Sequence, residues 1–338
     1  MTKSTRVVAV ANQKGGVAKT TTAINLAASL ALANQRILLV DMDPQANLTS
    51  GLGLKGQTAP DGTIYDALTS EGPDLARAVL ATTIDHLSLV PADRNLIGAE
   101  IELVTLPERE YRLRRLLDPL RDRFDFIFID TPPSLGLLTL NALVAADTVL
   151  VPLNCEYFAL EGIAELLSTI DRVRASLNPA LAIEGVLLTM YDDRTNLGQQ
   201  VSANIREFFG DQVYGTVIPR NIRLGEAPSH GVPVILYDAR SRGAEAYVSL
   251  ANEFIARTRG ATADAAPATG DASAPSEEPA ATPDPPADAA PDEHAAATPA
   301  SLPSHDAPAI DEPPHPDRDD AAPEHEHTTR THTESHDG

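Results

Sequence analysis

Arg6-Val-Val-Ala-Val-Ala11, followed by Asn12-Gln13-Lys14-Gly15-Gly16-Val17-Ala18-Lys19-Thr20-Thr21, is the stretch on which the fold turns. The first part is short, apolar and β-branched, whereas Thr20 to Ala33 is rich in Ala and Leu and long enough for a helix. The intervening loop therefore joins a strand to a helix N-terminus. Backbone N–H groups of such a loop, with the positive end of the helix dipole, form a cradle for phosphate oxygens, and glycines let the chain approach closely. Lys19 is then expected on the β/γ-phosphates and the Thr20 hydroxyl on Mg²⁺. The ordinary spacing G-x-x-x-x-G-K-[ST] is not met, because Gln13 and Ala18 occupy its two outer glycine positions.

What stands instead is K-G-G-x-x-K-T, with Lys14 directly before the glycine pair. This form resembles the ParA/MinD group of P-loop ATPases. The resemblance implies ATP bound by Lys14, Gly15, Gly16, Val17, Ala18, Lys19, Thr20 and Thr21, with Lys14 crossing a dimer interface to the partner's nucleotide. Ala18 replaces the glycine commoner in that group; its methyl is tolerable where the local backbone is already helical, and ATP binding is expected to survive.

The second apolar run, Arg36-Ile-Leu-Leu-Val40, leads into Asp41-Met-Asp43-Pro-Gln-Ala-Asn47. Two carboxylates at a strand's C-terminal end beside a phosphate loop suit metal and water positioning. Similarity to the ParA/Soj family, whose second strand ends D-x-D-P-Q, implies that Asp43 orients or polarises the attacking water, with Asp41 a structural or Mg²⁺-linked neighbour. Phe126-Ile-Phe-Ile-Asp130-Thr-Pro-Pro-Ser134 is an apolar strand ending in a single acid, the shape of a Walker-B element, and Asp130 is expected to hold Mg²⁺ through water. Phosphoryl transfer needs mostly positioning and charge neutralisation, so Lys14, Lys19, Thr20, Mg²⁺ and Asp43 suffice for slow ATP hydrolysis. With no substrate pocket visible, hydrolysis reads as a timer.

Pro219-Arg220-Asn221 leads into Ile-Arg223-Leu-Gly-Glu226-Ala-Pro-Ser-His230-Gly, which is similar to a block of the ParA/Soj family. That likeness implies Pro219 and Asn221 near the adenine and the neighbouring arginines towards DNA. Tyr191-Asp-Asp-Arg194-Thr-Asn-Leu197 matches the family's loop with a DNA-contacting arginine. Arg194, Arg220 and Arg223 are the DNA-binding candidates, although Arg220, between the two adenine neighbours, can serve the nucleotide instead. Arginine forks grip phosphate oxygens without reading sequence, so the expected ligand is nonspecific double-stranded DNA.

Composition divides the 338 residues near Gly260. Residues 261–338 carry 18 acidic against 2 basic side chains and 14 of the 27 prolines, with almost no large apolar residue. Such a segment cannot bury enough surface to offset chain ordering, and a disordered acidic tail is expected there. Taking its −16 from the net −22 leaves −6 for residues 1–260, a normal size for one α/β domain. Apolar runs near 6–11, 36–41, 87–91, 124–130, 148–153, 183–190, 213–218 and 233–236 alternate with helical patterns. The fold class expected is a doubly wound, mostly parallel sheet with ligands at strand C-termini. Cys155 alone excludes a disulfide framework. Neither a leader pattern nor an apolar run of spanning length is present, so a cytoplasmic protein is expected, and the ParA/Soj resemblance implies that it is nucleoid-associated.

The resemblance covers residues 5 to 258, and the early first strand favours the short Soj-like type. It implies an ATP-dependent homodimer that binds DNA, releases it on hydrolysis and is stimulated by a ParB-type centromere-binding partner, moving chromosome or plasmid DNA. A relative that positions protein cargo would use the same switch. A MinD-like membrane-cycling ATPase needs a basic amphipathic C-terminal helix, and this chain's end is acidic and Pro-rich. A nitrogenase-type iron protein needs two cysteines per subunit. A small-molecule ligase or kinase predicts turnover stimulated by a metabolite instead of by DNA.

Overall fold

The computed structural model describes residues 5–70, 74–156 and 159–264. Its strands are β1 (Arg6–Val10), β2 (Ile37–Asp41), β3 (Leu80–Ala81), β4 (Leu87–Val90), β5 (Phe126–Asp130), β6 (Thr148–Asn154) and β7 (Ala182–Thr189). They form one sheet in the order β3-β4-β2-β5-β1-β6-β7, parallel except for the β3/β4 edge pair. The helices are α1 (Lys19–Leu32), α2 (Asn47–Gly51), α3 (Ile64–Thr69), α4 (Leu96–Glu102), α5 (Arg112–Leu117), α6 (Leu137–Ala145), α7 (Ala159–Ser176), α8 (Asn196–Phe209), α9 (Ile222–Glu226), α10 (Val234–Tyr237) and α11 (Arg242–Asp264).

The central strands are apolar along their whole length because both of their faces are covered. Alternation still sorts their side chains into two cores. Val7, Ala9, Leu38, Val40, Ile127 and Ile129 pack under α3 to α7, while Val8, Val10, Ile37, Leu39, Phe126 and Phe128 pack under α1 and α11. On that second face Phe254 of α11 meets Phe126 edge-on at 5.2 Å, and the Thr22 and Tyr247 hydroxyls of α1 and α11 lie 3.1 Å apart. The helix that opens at the phosphate loop is thereby seated against the sheet.

The order reverses at β1, which lies between β5 and β6. A crevice outside the carboxyl ends of the strands opens at such a point, and ligands of doubly wound sheets bind there. In register, Asp41 of β2 is the neighbour of Asp130 of β5, and Asp130 is the neighbour of Val10 of β1. The two acidic strand ends are thus placed beside the phosphate loop by the sheet itself.

Two expectations are corrected. Residues 213–218 do not form a regular strand: Tyr214 N–H and Ile218 N–H bond to β7 carbonyls, but Gly215 and Thr216 turn their N–H groups to the Glu253 carboxylate at 2.8 and 2.9 Å. The apolar run 233–236 is the helical turn α10, started by Pro233. Helix α11 runs through Asp264; the remainder of the expected tail lies outside the described residues.

The block around Gly231 is locked onto the turn that follows α2 by a backbone approach only glycine permits. Gly231 has φ +66°, and a Cβ there would stand 2.6 Å from the Gly53 Cα. Gly231→Ala is expected to destabilise the chain by roughly 2–4 kcal/mol in a urea melt, since left-handed strain adds to a clash with unyielding backbone.

Candidate functional site

The loop between β1 and α1 is held from three sides. Asn12 donates its side-chain amide to Pro152 O of β6 at 2.8 Å and accepts the Lys14 N–H at 2.9 Å. The Thr189 hydroxyl at the end of β7 donates to Val17 O at 3.2 Å, and the Thr131 hydroxyl donates to Val10 O at 3.0 Å. Gly16 takes φ +71°, which frees the loop to turn its N–H groups inwards.

Ala18 corrects the expectation of a helical backbone at that position. It is the N-cap of α1 with φ +64° and ψ +34°, left-handed, where an L-residue costs about 1–2 kcal/mol. Ala18→Gly is expected to raise the unfolding free energy of the ligand-free chain by about 0.5–1 kcal/mol, measured in urea, once glycine's extra unfolded entropy is subtracted.

The two loop lysines have different surroundings. Lys19 is buried and donates to Lys14 O at 3.2 Å; burial pulls its ammonium below the ordinary lysine value, while Asp130 and Asp43 push it back up. Lys14 extends outward, its ammonium 2.8 Å from Glu156 Oε2 and 3.4 Å from Asn154 Oδ1. Gly15 packs near Pro133, and Thr21 accepts the Asn25 side-chain amide through its backbone carbonyl.

At the strand ends, the Thr20 hydroxyl donates to Asp130 Oδ2 at 2.7 Å. Asp130 is fully buried, and burial first, then the Asp41 charge, drive its carboxyl well above the usual range. Its Oδ1 is buried with no hydrogen-bond partner. Such an atom beside a hydroxyl fits a hydrated Mg²⁺, which keeps waters and takes few protein ligands.

Asp41 is used differently from a metal ligand. Its Oδ2 accepts both the N–H and the hydroxyl of Thr49, at 2.9 and 2.7 Å, and its Oδ1 accepts the Asp43 N–H. These bonds fix the turn that presents Asp43, and burial pushes the Asp41 carboxyl up to about 6. Asp43 itself is buried and accepts the Gln45 N–H at 2.9 Å. Thr49 went unnoticed in the sequence because nothing marks a threonine eight residues on as a carboxylate's partner.

Near the expected base and DNA contacts, Pro219 bridges to Tyr191 beyond the end of β7, and Asn221 caps α9 by accepting the Arg223 N–H at 2.9 Å. Arg194 and Arg220 line one open groove of about 600 Å³, joined by Arg242 at the start of α11. Arg194 is 83% exposed and forks onto Asp192 at 2.7 and 2.8 Å, which holds that carboxyl down at about 2. Arg223 points elsewhere, onto Glu226 at 2.8 Å and Asp238 at 3.3 Å. Arg242 carried no signal in the sequence beyond its charge. Cys155 is half-buried, and burial pushes its thiol up to about 11.

A parallel sheet that reverses at β1, with a glycine-paired loop carrying two lysines and an acidic strand end beside it, defines a P-loop nucleotide-binding protein with a deviant Walker A sequence. A family profile described as an AAA domain matches residues 5–183. The chain is 55% identical over 251 residues to the sporulation initiation inhibitor protein Soj of Bacillus subtilis, covering 74% of this chain and 98% of that one. It is 55% identical over 252 residues to the chromosome partitioning protein ParA of Myxococcus xanthus, covering 75% and 88%. A crystal structure of cobyrinic acid a,c-diamide synthase from Mycobacterium smegmatis, with a bound ATP analog and magnesium, superposes with a TM-score of 0.66 at 38% identity, over 76% of this chain and 97% of that one. The chain belongs to the ParA/Soj family of chromosome-partitioning ATPases.

Proposed function

We propose that this chain is a Mg²⁺-dependent ATPase switch that dimerises with ATP, binds nonspecific DNA as the dimer and lets go on hydrolysis, segregating chromosomal or plasmid DNA with a ParB-type partner. The observation that carries it is the divided placement of the two loop lysines. Lys19 is buried among Asp130 and Asp43, where it serves the chain's own phosphates, while Lys14 is directed away from that pocket onto Glu156 and Asn154, which it leaves to reach a second copy's nucleotide.

Lys19 and the loop N–H groups bind and orient the phosphates. Thr20 and, through water, Asp130 would hold Mg²⁺, which when bound neutralises charge on the β- and γ-phosphates. Asp43, aimed by Asp41 and Thr49, orients the attacking water. Arg194, Arg220 and Arg242 supply a phosphate-binding groove, and Arg223 adds to the surface once Glu226 and Asp238 yield it. Every contact expected there is to the DNA backbone, so affinity should fall steeply with salt.

The test is nonspecific duplex binding with ATP and with ADP; equal binding in the two would end the switch reading. The cobyrinic acid synthase likeness favours a second reading, a small-molecule ligase on the same fold. It predicts ATP turnover stimulated by a carboxylic acid substrate and indifferent to DNA. No helix among the described residues is long and apolar enough to cross a membrane.

A further inference from the structure

The outward lysine of the phosphate loop is held on its own chain. Lys14 meets Glu156 and Asn154 across 142 and 140 residues of sequence. Asn154 ends β6 and Glu156 stands two residues further on, and because β6 pairs with β1 the topology delivers this acid to the loop. Glu156 also faces a second cation: it lines a hollow of about 270 Å³ together with Asn154, Asp192 and Arg220. Lys14 first, and Arg220 more weakly, hold the Glu156 carboxyl below its usual range.

Resting on the dimer reading, we infer that Glu156 is a positioning residue for Lys14: it keeps the ammonium on its own subunit until a second copy's nucleotide competes for it, and Arg220 then takes over the vacated carboxylate. The switch has two discrete arrangements, Lys14 on Glu156 and Lys14 on the partner's phosphates. The dimer equilibrium is biased by whatever stabilises the first. Both members of the pair are partly exposed, with side chains 30% and 53% accessible, so the restraint on each lysine is modest, about threefold. Two lysines leave their carboxylates for each dimer formed, and the restraint on association multiplies to roughly tenfold. Arg220 as replacement counter-ion lowers the cost of that departure, which gives this arginine a nucleotide-linked role apart from any contact with DNA.

The test uses the full chain without DNA. In the nucleotide-free protein, limited acylation of lysines followed by peptide mass spectrometry should show Lys14 labelled about threefold faster in Glu156→Gln, and near the wild-type rate in Glu156→Asp. With Mg²⁺ and a non-hydrolysable ATP analogue, sedimentation should give a dimer association constant roughly tenfold higher for Glu156→Gln and several-fold lower for Arg220→Gln. The Arg220→Gln effect should vanish in the Glu156→Gln background, a coupling that a general loss of structure does not produce. Unchanged Lys14 labelling in Glu156→Gln overturns the proposal, as does an Arg220→Gln effect of equal size in both backgrounds. A wild type that stays monomeric with the analogue removes the dimer reading, and the labelling then still decides whether Glu156 holds the lysine.

Discussion

Lys19→Ala is expected to abolish ATP-dependent DNA binding, and Asp43→Ala to retain that binding while losing turnover. Lys19 is buried, so its ammonium has little water to give up when phosphates arrive and makes charge-assisted bonds in a low-dielectric site. Losing one or two such bonds, at roughly 1.5–3 kcal/mol each, weakens nucleotide binding by at least about tenfold, and by about 100-fold or more where two are lost. Its removal also strips Asp130 and Asp43 of their nearest cation, making the site still less hospitable to a triphosphate. Asp43 contributes at a later stage. Replacing a water-orienting carboxylate costs about 10²–10⁴ in rate, and removing a negative charge near the γ-phosphate does not weaken ATP binding. The loss of the Gln45 N–H bond loosens only a local turn. Gel-shift and phosphate-release assays on the two variants check both halves, and Asp43→Ala losing DNA binding together with turnover would remove the water-orienting role.

Asp130→Asn is expected to leave the ligand-free fold at least as stable at pH 7.5 and to weaken Mg²⁺-dependent nucleotide binding about 10–100-fold. The amide oxygen can still accept the Thr20 hydroxyl, while the cost of burying a charge disappears. The sign of the pH dependence follows from the raised carboxyls of Asp130 and Asp41. An acid whose folded value lies above its unfolded one, about 3.9 for Asp, contributes stability that is fully present below the unfolded value and is lost as pH rises through the folded value. For Asp41 that window runs from about 4 to about 6, and Asp130 extends it upward. A cation at the site favours the ionised forms, so the rise in Tm given by Mg²⁺ and ATP should be larger at pH 7.5 than at pH 5.5, and Asp130→Asn should flatten that difference. An undiminished Mg²⁺ response in the variant would place the metal elsewhere.

The nucleotide loop and both acidic strand ends were legible because each lies directly after an apolar run, where the strand to loop transition is a local signal. The parallel sheet followed from the same alternation. The errors lie where distant residues decide. The segment 213–218 reads as a strand, yet Glu253, 38 residues on, captures two of its amides. Val234 to Tyr237 is too short an apolar run for periodicity to settle, and the Asn25 side chain of α1 receives its first N–H. Ala18 gave no hint of its left-handed backbone, because glycine's absence there reads naturally as a helical start. Glu156 could not be found from sequence, since only the adjacency of β6 and β1 brings it to Lys14.

The pairing of Asp41 with Asp130 across β2 and β5 has a consequence for how the chain matures. A slip of one residue between these strands would send one carboxylate to the opposite sheet face and separate it from the phosphate loop. Nucleotide would then find no complete site, so its binding energy goes only to chains whose central strands are correctly aligned. Nucleotide is therefore expected to favour the chain whose central strands are in register over one whose strands have slipped.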